Sequence, residues 1–226
     1  MDAQQAAPAA VSPRAGSTRV RATLGRKGAE TRARLLSATR ELLKTVSPFQ
    51  LTVVSIARAA HTASATLYVY FDDVEDLLYE LCHEAGADFG AMLSAHPEWF
   101  ADTASVPGSV EEFIDQFNAI WDRHSHVLLY RNLEADRGNR RFLEERTVSA
   151  LPVMERLADA VRAVRPELGK VAAQADAVVL FSAVERLAGT RQNYAIHRRT
   201  LPLEALREAQ IRVISSYLLP SVETVS

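Results

Sequence analysis

The sequence predicts an all-α fold of about nine helices, with a small three-helix head before a larger helical body. Three observations lead there. Apolar residues recur every three or four positions along most of the 226 residues. No segment of any length alternates with the two-residue period of a strand. Charge is also divided: residues 1–71 hold ten Lys/Arg against three acids, leaving sixteen basic and twenty-five acidic residues for the rest of a chain whose net charge is −2. A basic head on an acidic body suits a polyanion that meets the head alone, or else a basic tail that only aids solubility.

Residues 1 to about 26 are rich in Ala, Pro, Ser, Gly and Arg and read as a flexible arm, because they bury too little apolar surface to offset chain entropy. Leu35, Leu36, Leu42, Leu43 and Val46 mark an amphipathic helix over 29–46, which Ser47-Pro48 ends. Thr52 caps a short second helix whose inward face is Val53, Ile56, Ala57 and Ala60. His61-Thr62 turns the chain into a third helix, 63–70, facing inward through Ala63, Leu67 and Phe71. Asp72 and Asp73 favour the start of a fourth, carrying Val74, Leu77, Leu78 and Leu81.

His96-Pro97 and Val106-Pro107-Gly108 read as breaks. A helix is expected from near Ser109, with Val110, Phe113, Ile114, Phe117 and Trp121 on one stripe, then another over about 126–136. A longer one over about 139–164 is expected to kink at Pro152. The helix over 170–196 is apolar on nearly every side, and the last, about 203–218, has a stripe of Leu203, Leu206, Val213, Ile214 and Tyr217.

Composition excludes several classes. No run approaches eighteen apolar residues, so a membrane span is not expected, and the N-terminus lacks the pattern of a secretory signal. Cys82 is the sole cysteine, which rules out an intramolecular disulfide and fits a reducing cytoplasm. Catalysis finds little support. Cys82 and His83 are helix neighbours about 100° apart, wrong for a nucleophile and its base. His124 and His126 diverge by about 200°, unsuited to a shared metal. Glu144 and Glu145 read as a solvated face, no glycine-rich phosphate loop is present, and no cofactor is expected.

The two short helices and their tight turn have the form of a helix-turn-helix, whose second helix enters a major groove about 12 Å wide. With Leu67 and Phe71 turned inward, Ala65 and Val69 point away from the core, and Ser64, Thr66, Tyr68 and Tyr70 lie at the sides. The Tyr68 and Tyr70 hydroxyls suit phosphates or base edges.

Thr52-Val53-x-x-Ile56-Ala57, then Ala60, then Thr66-Leu67-Tyr68-x-Tyr70-Phe71 and Leu77-Leu78, together with the opening TRARLLSATRELL, resemble the TetR family of bacterial repressors over about residues 28–88. The resemblance implies Ser64, Ala65 and Tyr68 at base edges, Thr66, Val69 and Tyr70 along phosphates, and Val54 turned toward the groove beside the capping Thr52. It divides the chain into a basic arm (1–27), a DNA-binding head (28–88) and an effector-binding, dimerising body (89–226).

Three departures stand out. His61 replaces the family's turn glycine, which costs about 1–2 kcal/mol if φ is positive. Ala63 replaces a capping serine, leaving the cap to Thr62, Ser64 or water. Val74 replaces a lysine at the start of helix four. Arg14, Arg19, Arg21, Arg26 and Lys27 are candidates to restore the lost phosphate contacts; the alternative is an arm without a role.

The resemblance further implies a homodimer formed by the last two helices, a palindromic double-stranded operator, and a repressor released by a small effector in the body. Activation, dual regulation, or a dimeric helical adaptor without DNA binding are the alternatives. Effector candidates are Phe113, Phe117, Asn118, Trp121, Tyr130, Phe142, Phe181, Glu185 and Tyr194, with His124, Arg131, Glu134 and Asn193 as further polar anchors. That mixture suits an apolar or amphipathic molecule.

Overall fold

The computed structural model describes residues 25–191 and 201–220, which form eight α-helices and no strand. They are α1 (Arg26–Leu43), α2 (Val53–Ala59), α3 (Ser64–Tyr70), α4 (Val74–Ala95), α5 (Val106–Asp136), α6 (Arg140–Val164), α7 (Lys170–Thr190) and α8 (Leu203–Tyr217). None of the described helices is long and apolar enough to cross a membrane.

Local chemistry sets most boundaries. Thr52 and Ser55 form a reciprocal capping box at α2, the Ser55 amide donating to Thr52 Oγ1 at 3.1 Å and the Thr52 amide to Ser55 Oγ at 3.1 Å. Asp73 caps α4 by accepting the Asp76 amide at 2.7 Å. At α5 the expectation is corrected twice. Pro107 lies in the helix's first turn, where a missing N–H is harmless, so the helix starts at Val106 rather than near Ser109. It then runs unbroken to Asp136, because no Gly or Pro interrupts residues 109–136. That merger brings about nine helices to eight among the described residues. Pro152 is carried inside α6 on its solvent side, where water can serve the freed carbonyl of the exposed Val148.

Two apolar cores result. One joins Leu35, Ile56, Leu67, Phe71, Leu77 and Leu81 of the head to Val127, Tyr130 and Phe142 of α5 and α6. The other fills the body with Phe89, Trp99, Phe113, Phe117, Trp121, Leu157 and Phe181 among others. α4, about 33 Å long at 1.5 Å per residue, contributes Leu77 to Cys82 to the first and Ala85 to Leu93 to the second. α1 is fastened to it by Arg32–Glu80 at 2.5 Å and by an Arg40–Glu84 pair. α8 is fastened to α5 by Arg207, which meets Asp115 at 2.6 Å and Glu111 at 2.8 Å and thereby holds the Asp115 carboxyl below its usual range.

Candidate nucleic-acid interface and effector cavity

The α2–α3 turn carries the first departure openly: His61 has φ 52°, in the left-handed region that favours glycine. Ala63 is the N-cap of α3, is exposed rather than inward, and gives no side-chain cap, so the helix start relies on Thr66 N–H donating to Ala63 O at 2.9 Å. Leu67 and Phe71 are buried, while Ala65, Tyr68 and Val69 are exposed, Tyr68 by 59%. Ser64 and Thr66 are half-buried at the flanks, and Tyr70 partly packs on the head core. Thr52 and Val54 are exposed on α2.

The head's positive charge is less available than its composition suggests. Arg26, Arg32, Arg40 and Lys44 are paired with Glu30, Glu80, Glu84 and Glu41. Among the described residues only Lys27, Arg34 and Arg58 of α1 and α2 carry no side-chain partner. Arg34 and Arg58 went unmarked in the sequence; the i, i+4 spacing of Arg26 and Glu30 was a signal that Arg26 would be occupied. Arg14, Arg19 and Arg21 lie outside the described residues.

Where α4 crosses α6 the helices nearly touch. A Cβ at Gly86 would stand 2.9 Å from Glu145 Oε1 and 3.0 Å from Ser149 Cβ. Glu145 is 6% exposed, correcting the expected solvated face: its position on α6 faces α4, where Tyr79 Oη donates to it at 3.3 Å and His83 Nδ1 lies at 3.3 Å. Burial and this carboxylate push the Tyr79 hydroxyl upward. Arg141 stacks on the Tyr79 ring and binds Asp76 at 2.5 Å. Cys82 is fully buried between head and body, its thiol pushed up to about 12 by desolvation.

Beyond Gly86 lies a small cavity lined by Phe89, Phe117, Trp121, Arg131, Ser149, Ala150, Val153, Phe181 and Glu185. Its free space is about 10 Å³, room for no more than one water. Phe117, Trp121, Arg131, Phe181 and Glu185 are among the expected effector residues. Phe113 instead is core, edge-on to Trp99 and Phe100. Tyr130 and Phe142 meet edge to face at the head–body junction, where Tyr130 also meets Phe49 of the α1–α2 connection. Asn118 borders a separate surface cleft with Asp115, Asp122, Arg191 and Arg207. His124 pairs with Asp88 at 2.8 Å and Glu134 with Arg137 at 3.2 Å, both away from the cavity. Asn193 and Tyr194 lie outside the described residues. Phe89, Ser149, Ala150 and Val153 were not foreseen, since nothing local distinguishes a cavity wall from core.

A helix-turn-helix at one end of a shared helix, and a helical body with an internal cavity at the other, define a DNA-binding transcription regulator rather than an enzyme. The chain belongs to the tetR family of bacterial regulatory proteins: residues 35–81 match that family's profile, and residues 92–216 match the tetracyclin repressor-like C-terminal domain. No curated protein sequence matches it.

Three solved structures share the fold. The fatty acid degradation regulator FadR of Bacillus halodurans is 16% identical, with 85% of this chain and 96% of that one covered and a TM-score of 0.62. A transcriptional regulator of Rhodococcus sp. Rha1 is 19% identical, with 83% and 95% covered and a TM-score of 0.63. FadR of Bacillus subtilis in complex with stearoyl-CoA is 17% identical, with 82% and 98% covered and a TM-score of 0.59.

Proposed function

We propose that the chain is a cytoplasmic homodimeric repressor that binds a palindromic operator and is released by an apolar or amphipathic effector. The observation that carries the reading is α3: Leu67 anchors it, and the opposite face, Ala65, Tyr68 and Val69, is open to solvent. Ser64, Ala65 and Tyr68 read base edges and Val54 of α2 is turned toward the groove; Thr66, Val69 and Tyr70, with Thr52, lie along the backbone. Arg26 and Lys27, and Arg19 and Arg21 of the arm, add phosphate contacts. The proposed division is an arm that ends where α1 begins at Arg26, two residues before the expected boundary, then a head to residue 88 and a body over 89–226.

Dimerisation through α7 and α8 is supported by apolar side chains left in water there: Val171, 80% exposed, with Val178, Val179 and Val213. Two heads then occupy half-sites about 34–36 Å apart. The effector occupies the cavity of Phe117, Trp121, Phe181 and Glu185. Enlarging it displaces Phe89 on α4, and α4 carries that movement into the head core. A useful response needs the ligand to discriminate between the two conformers by several kcal/mol.

A gel shift with the DNA upstream of the protein's own gene tests the reading, with sedimentation giving the mass of the bound species. A retarded band containing two protomers is expected. No complex at low salt with any neighbouring promoter would refute DNA-binding repression and favour a helical adaptor.

A further inference from the structure

Within the effector cavity proposed above, on which this inference rests, one ion pair has unequal members. Arg131 of α5 and Glu185 of α7 meet at 3.2 Å, the arginine side chain 3% exposed and the glutamate 20%. The guanidinium is otherwise held from within the body: Nη1 donates to Ser149 Oγ at 3.0 Å, and Nε and Nη2 donate to Asn132 Oδ1 at 3.1 Å each. Glu185 also accepts from Asn132 Nδ2 at 3.3 Å. Phe89, Phe117, Trp121, Val153 and Phe181 complete the wall with apolar surface.

Charge balance decides what kind of head group this end accepts. Arg131 is sealed in and must keep a carboxylate, because removing the partner of a buried charge leaves it uncompensated. Glu185 has a route to water. A cationic ligand would compete for Glu185 while repelling an arginine that has nowhere to go. An anion simply added would crowd Glu185 and the field of the buried Glu145, which already acts on Arg131. Exchanging one carboxylate for another leaves the buried charge as it was, and it vacates the volume that Glu185 fills.

We propose that the effector is a monocarboxylate on an apolar tail, whose carboxylate displaces Glu185 from Arg131 while the tail opens the space between Phe117, Trp121 and Phe181. Glu185 is thus an internal stand-in for the ligand. Its release also unfastens α7 from Asn132 and Arg131 of α5, so occupation is felt on a helix proposed to pair in the dimer.

The test titrates the unmodified full-length protein with three terminally brominated medium-chain probes of equal length: a carboxylate, an alcohol and an alkylammonium. Bromine quenches tryptophan on contact, and Trp121 lies in the cavity wall while Trp99, the other tryptophan, is buried in the body core. The carboxylate is expected to quench at the lowest concentration. Glu185→Gln, which removes the competing charge at nearly constant shape, should tighten carboxylate binding about fivefold and leave the alcohol unchanged.

Preference for the ammonium or the alcohol, or weaker carboxylate binding by Glu185→Gln, overturns the proposal and leaves the cavity as an effector site of other chemistry. Quenching by none of the three overturns both the proposal and the effector cavity. The ranking on the unmodified protein decides the matter even where the variant fails to fold.

Discussion

Replacing either Gly86 or Gly90 with alanine makes the same chemical change one helical turn apart on α4, and the structure predicts opposite signs. In a helix interior alanine is favoured over glycine by about 1 kcal/mol. At Gly90 nothing lies within 4 Å of the added methyl group, so Gly90→Ala should keep that gain and raise Tm by about 2–4 °C for a chain of this size. At Gly86 the methyl group would meet Glu145 Oε1 at 2.9 Å and the Ser149 Cβ at 3.0 Å. Glu145 can swing only by surrendering Tyr79 and His83, and the Ser149 Cβ moves only with the α6 backbone.

Overpacking of this kind costs about 1–3 kcal/mol, and each surrendered hydrogen bond adds about 0.5–1.5 kcal/mol. With both hydrogen bonds surrendered and the propensity gain subtracted, Gly86→Ala should lose about 1–5 kcal/mol and lower Tm by about 2–20 °C. Differential scanning calorimetry of the two variants should therefore separate them by at least about 4 °C. Equal or inverted shifts would refute the close crossing of α4 on α6, and with it the route proposed from cavity to head.

The left-handed His61 predicts that His61→Gly stabilises the head by about 0.5 kcal/mol, relief of backbone strain narrowly exceeding glycine's unfolded-state entropy, whereas a β-branched His61→Val destabilises it by about 1–2 kcal/mol; denaturant titrations measure both, and a stabilising valine would contradict the turn. Val74→Lys at the start of α4 should raise operator affinity at low salt and steepen the salt dependence by about one phosphate contact. Binding isotherms across salt concentrations check it, an unchanged slope meaning that this helix end does not reach the backbone. Cys82, with its thiol pushed up to about 12 and no exposed surface, should resist thiol reagents at about pH 8 in the native protein and react fully in urea. Rapid native labelling would show that the head–body junction opens.

What could be read in the residues was the part of the structure that is local. Helix periodicity, the Thr52 cap and the acidic start of α4 all depend on neighbours within one or two turns, and Leu67 and Phe71 were placed inward by that geometry alone, whereas the strain at His61 was implied by the family's turn glycine. The misread boundary of α5 came from giving Pro107 the meaning it has in a helix interior, when the first turn tolerates it. Which aromatic residues line the cavity was not legible: Phe113, Phe117 and Trp121 share one stripe of α5, and only partners distant in sequence, Trp99 and Phe100 of the α4–α5 connection for Phe113, separate core from wall.

The sequence by itself therefore determined the helices, the helix-turn-helix and its outward residues, because each follows from interactions along one short stretch of backbone. Only the tertiary structure decided that Glu145 is buried, that Gly86 must stay small, that most head cations are already paired, and that Arg131 is held by a glutamate 54 residues away. Periodicity says that a helix face is covered; what covers it depends on how distant helices cross, and no local pattern records that angle.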